Sequence, residues 1–155
     1  MNLKRFLAIA VLFLMSFQGY ASHLLGGEIV WKCKPNGKYQ FTLVLYRECG
    51  GITLPTSAQS LATNAGVSIS CAFISTTDVV PSCYTGTTTC AGATSGTGKM
   101  QKYVYRSGDI TLTGTPPASG WYFTWTSCCR PSSITNVVSP GGASYLLRAI
   151  MYTST

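Results

Sequence analysis

The stretch GGEIVWKCKPNGKYQFTLVLYREC, residues 26–49, decides the fold. β-branched and aromatic residues stand on both sides of Pro35-Asn36-Gly37, which is the composition of a β-hairpin. Two registers compete. A two-residue turn at Asn36-Gly37 would set Trp31 opposite Thr42 and mix polar with apolar residues on each face. A three-residue turn with Gly37 left-handed pairs Cys33 with Tyr39, Trp31 with Phe41 and Ile29 with Leu43, making one face wholly apolar. The longer turn is therefore predicted.

Period-two patterning continues outward from this hairpin. Val67 to Ser75 alternates Val67, Ile69, Cys71 and Phe73; Met100 to Ser107 carries Tyr103 and Tyr105; Asp109 to Thr113 carries Ile110 and Leu112. Trp121, Phe123 and Trp125 line one face of a strand running into Cys128, and Ala143 to Thr153 places Tyr145, Leu147, Ala149 and Met151 on one side. SCYTGTTTCAGATSGTG, residues 82–98, reads as a loop, and GTPPASG, residues 114–120, as a turn. Seven strands without a helical segment predict an all-β, antiparallel sandwich, Ig-like or related, with a closed barrel as the competing architecture. The stripe Trp121, Phe123, Trp125 alternates with Tyr122, Thr124 and Thr126, the pattern of a half-buried strand, so it reads as core before it reads as a sugar-stacking platform.

MNLKRFLAIAVLFLMSFQGYAS, residues 1–22, has a basic start at Lys4 and Arg5, an apolar run from Phe6 to Met15, and small residues at Gly19 and Ala21. The run is shorter than the ~20 apolar residues of a spanning helix, and the pattern is that of a secretory signal cleaved after Ala21. Residues 1–21 are thus expected to be a signal peptide and residues 22–155 a single exported module, secreted or at the cell surface, with no membrane span in the mature chain. Export implies an oxidising destination, so the seven cysteines, Cys33, Cys49, Cys71, Cys83, Cys90, Cys128 and Cys129, read first as disulfide candidates. The number is odd, so at least one thiol lacks an intramolecular partner. Cys83 and Cys90, separated by YTGTTT, are expected to form a local bridge. Adjacent Cys128 and Cys129 point to opposite sides of a strand, and one of them is expected to reach Cys49.

Hydrophobic residues make up 46% of the chain and charged residues 10%, a balance that disfavours disorder. The net charge of +7 falls to +5 once Lys4 and Arg5 leave (7 − 2 = 5), and the remaining basic residues are scattered. Lys32, Lys34 and Lys38 flank one turn, where they discourage edge-to-edge pairing; no basic stripe interleaved with aromatics marks a nucleic-acid partner. No CxxC pair exists and His23 is the sole histidine, so no metal or other cofactor is expected. The acidic residues are only Glu28, Glu48, Asp78 and Asp109, and no base stands ready to activate a serine or threonine, so no enzyme is expected and no catalytic residue is assigned.

SHLLGGEIVWKC, YQFTLVLYRECGG, PPASGWYFTWTSCCRPSSITNV and YLLRAIMY together resemble the successive motifs of the N-terminal module of large secreted surface proteins of Bacteroidota, of the gliding-motility-associated and PKD-repeat kind. The resemblance spans nearly the whole mature chain, and the order and spacing of its motifs are more specific than any one of them. It implies an exported, non-enzymatic surface module, structural or adhesive, secreted by the type IX route and followed by downstream domains of the same polypeptide. A surface glycan or a cell-surface protein would be its outside partner. The chain stops at Thr155 without repeats or a sorting domain, and a fragment is expected. Pro131 stands where the family often has Asn after Cys-Cys-Arg. A carbohydrate-binding module and a fragment of a secreted hydrolase are the alternatives; exposed Trp121 or Trp125 would favour the first, and a cleft joining Glu48 or Asp109 to a base the second. If Cys49 is bridged to Cys128 or Cys129, Arg130 and Glu48 come within reach of each other.

Overall fold

The computed structural model describes residues 24–79, 89–93, 98–128, 130 and 134–152. Residues 1–21, expected to be a signal peptide, and His23, Cys83, Cys129 and Pro131 lie outside the described residues. The chain is all-β, with strands β1 (Leu24–Cys33), β2 (Tyr39–Glu48), β3 (Gln59–Thr63), β4 (Ile69–Val79), β5 (Met100–Ser107), β6 (Trp121–Ser127) and β7 (Tyr145–Met151). They form a seven-stranded antiparallel sheet in the order β1-β2-β5-β4-β3-β6-β7. The only helical element among the described residues is a 3-10 turn at Pro140–Gly142.

The first hairpin has the register that side-chain chemistry demanded. Cys33 faces Tyr39, Trp31 faces Phe41 and Ile29 faces Leu43, with Gly37 at φ 74°. Phe41, Leu43 and Leu45 of β2 are fully buried, and Tyr103 and Tyr105 continue the same apolar face on β5. Trp121, Phe123 and Trp125 close the core from β6, with the Phe41 and Phe123 rings 4.5 Å apart.

The sheet curls into a nearly closed form. β3 turns the corner, because Gln59 to Leu61 pair with β4 while Ala62 and Thr63 pair with β6. The two edge strands then meet: the Tyr145 hydroxyl of β7 donates to the Leu25 carbonyl of β1 at 2.8 Å. Gly27 makes the approach feasible, since a Cβ there would stand 2.7 Å from Leu147 Cδ1 and 2.5 Å from the Val44 carbonyl oxygen.

Two strand expectations are corrected. Asp109 to Thr113 is not a strand; one bridge joins Ile110 to Tyr39, with both hydrogen bonds at 2.8 Å. Asp109 is instead drawn to the hairpin turn, where Lys34 pairs with it and Asn36 Nδ2 donates to it at 3.2 Å. Its carboxyl is held below the usual aspartate range by the hydrogen bond from Lys34 and then by that from Asn36. The missed element is β3, whose five residues hold a single large apolar side chain, Leu61, too few for alternation to register. β4 begins at Ile69 and runs on to Val79, past a bulge that leaves Ile74 half exposed.

Candidate functional site

Alternation along β2 places Arg47 on the same face as Phe41, Leu43 and Leu45, so a guanidinium closes the apolar row at one end of the sheet. Arg47 is 6% exposed. A charge so buried requires a full set of acceptors. Its Nε and Nη2 donate to Gln101 Oε1 at 2.9 and 2.6 Å, and Nη1 donates to the Gly51 carbonyl at 2.7 Å. Nη1 also lies 3.3 Å from the carbonyls of Glu48 and Cys49, and the guanidinium sits over the Tyr103 ring.

The row continues across the sheet. Gln101 faces Arg47 on one side and Asp78 on the other, and its Nε2 donates to Asp78 Oδ1 at 2.8 Å. Asp78 Oδ2 accepts the Cys90 backbone N–H at 2.9 Å. That bond first, the Gln101 amide second and the Arg47 charge last hold the Asp78 carboxyl below its ordinary range. Cys90 is covalently joined to Cys49, at a Cα separation of 5.1 Å. A relay Arg47–Gln101–Asp78 and a disulfide therefore fasten the same two segments, the chain after β2 and residues 89–93. Bridging residues 41 apart in sequence stabilises by about 4 kcal/mol in the chain-entropy account.

This pairing overturns both expected bridges. Cys90 joins Cys49 and not Cys83, and Cys49 joins Cys90 and neither Cys128 nor Cys129. The physical reason is strand placement: β2 and β4 flank β5, and Asp78 draws Cys90 to the end of β2. Cys128 is itself disulfide-bonded. Cys33 and Cys71 are free, the first exposed at the hairpin and the second buried, where desolvation pushes its thiol up to about 11.

Beside the clasp lies a cavity of about 340 Å³ lined by Leu24, Glu48, Lys99, Arg130, Ile134 and Tyr145 among others. Arg130 lies over the Tyr145 ring, 4.5 Å from its centroid, and its backbone N–H donates to the Ala143 carbonyl. Glu48 and Arg130 both line this cavity, although the crosslink of Cys49 to Cys128 or Cys129 on which their approach was expected to depend is not formed. The lining combines the apolar Leu24 and Ile134 with the charged Glu48, Lys99 and Arg130.

The sheet separates the remaining candidates. Glu48 ends β2 at the clasp, whereas Asp109 stands at the opposite end beside the hairpin turn, so these carboxylates share no cleft. Trp121 and Trp125 are each 7% exposed and belong to the core. Among the described residues no three His, Cys, Asp or Glu side chains gather to hold a metal ion, and no helix is long and apolar enough to cross a membrane.

Sequence reasoning missed Arg47, Gln101 and Asp78. The signal was there in part, since Arg47 is in phase with the buried residues of its strand. Comparison of the chain with models of protein families, with curated proteins and with solved structures found no match.

Proposed function

We propose that the chain is a non-enzymatic β-module of an exported bacterial surface protein, structural or adhesive in role and associated with gliding motility and surface attachment. One observation carries this reading. Residues of the successive motifs, separated in sequence, meet at the disulfide end of the sheet: Leu24 and Leu25 from the first, Arg47 to Cys49 from the second, Arg130 and Ile134 from the third and Tyr145 from the last. There they fasten strands to loops, so the motif pattern is that of a scaffold, and a disulfide that holds it suits an oxidising exterior. The cavity beside the clasp, lined by Glu48, Lys99 and Arg130, is the surface that this reading offers to a downstream domain or a surface partner.

The test is made on the producing cells. Secreted or surface-shaved material is expected to begin at Ser22, to carry the Cys49–Cys90 bridge on non-reducing peptide mapping, and to be digested by protease added to intact cells. Disruption of the gene is expected to reduce surface spreading or attachment. A chain that retains Met1, stays reduced and is protected inside the cell overturns the proposal.

A further inference from the structure

The end of the sheet opposite the clasp is built differently. Its mouth holds a cavity of about 470 Å³, within the size range of small-molecule sites, lined by Trp31, Tyr39, Leu112, Trp121, Met151 and Tyr152 among others. No lining side chain carries a charge. Inward-facing polar aromatics elsewhere are satisfied: Trp125 Nε1 donates to Gln59 Oε1 at 3.2 Å, and the hydroxyls of Tyr105 and Tyr145 donate to backbone carbonyls at 2.8 Å. At the mouth they are not. Neither the indole N–H of Trp31 and Trp121 nor the hydroxyl of Tyr39 and Tyr152 has a hydrogen-bond partner among the described residues. Trp121 is 7% exposed and lines the mouth, so its indole N–H is a donor that no neighbouring protein group takes up.

We propose that this mouth is a binding site for a short neutral saccharide. A pyranose has an apolar face to lie against Trp and Tyr rings and a rim of hydroxyls to meet the unpaired N–H and O–H groups, which is the combination these amphipathic rings offer. A purely apolar ligand would make no use of the ring N–H and O–H groups, and no charged side chain lines the mouth to receive a charged one. Tyr152, 61% exposed, forms the outer wall. It is positioned by Gly120, whose left-handed backbone (φ 79°) and missing Cβ let the Tyr152 ring come close; a Cβ there would lie 3.2 Å from Cε1. Core burial of Trp121 removes the flat exposed platform considered from sequence, and the mouth supplies a different site that is independent of the clasp and of the surface-module reading.

The experiment uses the mature chain labelled with ¹⁵N, titrated with the methyl glycosides of glucose, galactose, mannose and N-acetylglucosamine, and with nucleosides and free indole as contrasts. The three tryptophans give three indole signals. Those of Trp31 and Trp121 are expected to move with at least one glycoside, while that of Trp125, engaged by Gln59, stays in place. Tyr152→Ala is expected to melt like the wild type and to bind about two- to tenfold more weakly, the worth of one aromatic contact. Static Trp31 and Trp121 signals across the glycosides overturn the proposal, as do equal shifts of all three indoles, a response to nucleosides or indole alone, or unchanged affinity in Tyr152→Ala.

Discussion

Replacing Arg47 with alanine tests whether the buried guanidinium holds the clasp. Two close acceptors, Gln101 Oε1 and the Gly51 carbonyl, would lose their charged donor, and the weaker contacts to the Glu48 and Cys49 carbonyls would go with it. Stranding a fully buried acceptor costs about 1–3 kcal/mol, so these two part-buried acceptors give at most about 2–6 kcal/mol. Removing a desolvated charge offsets part of that, and a net loss of about 3 kcal/mol is expected. For a domain of this size the melting temperature should fall by about 10 °C. Arg47→Lys keeps the charge but not the planar fork that reaches Gln101 and Gly51 together, so it should recover less than half of the loss. Thermal and urea denaturation of the oxidised protein measure both variants. Combined with Cys49→Ser, which alone should cost up to about 4 kcal/mol, the losses should fall short of additive, because both changes release the chain after β2. The reasoning is refuted if Arg47→Ala melts within about 1 °C of the wild type, or if lysine restores it in full.

Asp78 and Asp109 both have lowered carboxyl pKa values, so each contributes stability that is intact at neutral pH and is lost as pH falls from the ordinary aspartate value of about 3.9 through the lower folded values. Asp78→Asn and Asp109→Asn should therefore flatten the acid limb of a melting-temperature profile; an unchanged limb in both would contradict this. Gly27→Ala should destabilise by about 1–3 kcal/mol through its clash with the Val44 carbonyl and Leu147, visible as a lower urea midpoint. Thiol alkylation followed by mass spectrometry should label Cys33 in the native protein and Cys71 only after unfolding, and rapid native labelling of Cys71 would show that its burial is wrong.

The first hairpin was legible to the residue because its turn chemistry and facial polarity agree, and a shift of one residue would have put Phe41 and Leu43 on the wrong face. β5 and β6 were legible for the same reason, their buried aromatics being strictly alternate. β3 was not, because its place is fixed by partners: the Gln59 side chain meets Trp125 and the backbone serves two neighbours, none of which leaves a local pattern. The disulfides were hidden by the same kind of ignorance. Nearness in sequence favoured Cys83 for Cys90, whereas the sheet order sets Cys90 beside the end of β2 through Asp78, a residue that sequence alone presents as an ordinary surface carboxylate. Arg47 was half legible, since its phase with Phe41, Leu43 and Leu45 foretells burial but not what would satisfy it.

A nearly closed sheet has two ends, and each must prevent water from reaching the core. At the clasp this is done by a charge: Arg47 is held inward by Gln101, backbone carbonyls and the Tyr103 ring, and the Cys49–Cys90 bridge fixes the segments that cover it. Such a plug is demanding, because every acceptor must be in place before the guanidinium can leave water, and a covalent bond that keeps them there lowers the entropy lost in assembling it. At the other end the plug is aromatic. Rings exclude water by area alone and require no fixed set of partners, so their N–H and O–H groups can be left without one at a cost far below that of an unpaired charge. The two ends therefore differ in what they can tolerate. The clasp is expected to fail if one partner is removed, whereas the mouth is expected to lose Tyr152 and remain folded, because no fixed set of partners holds its rings.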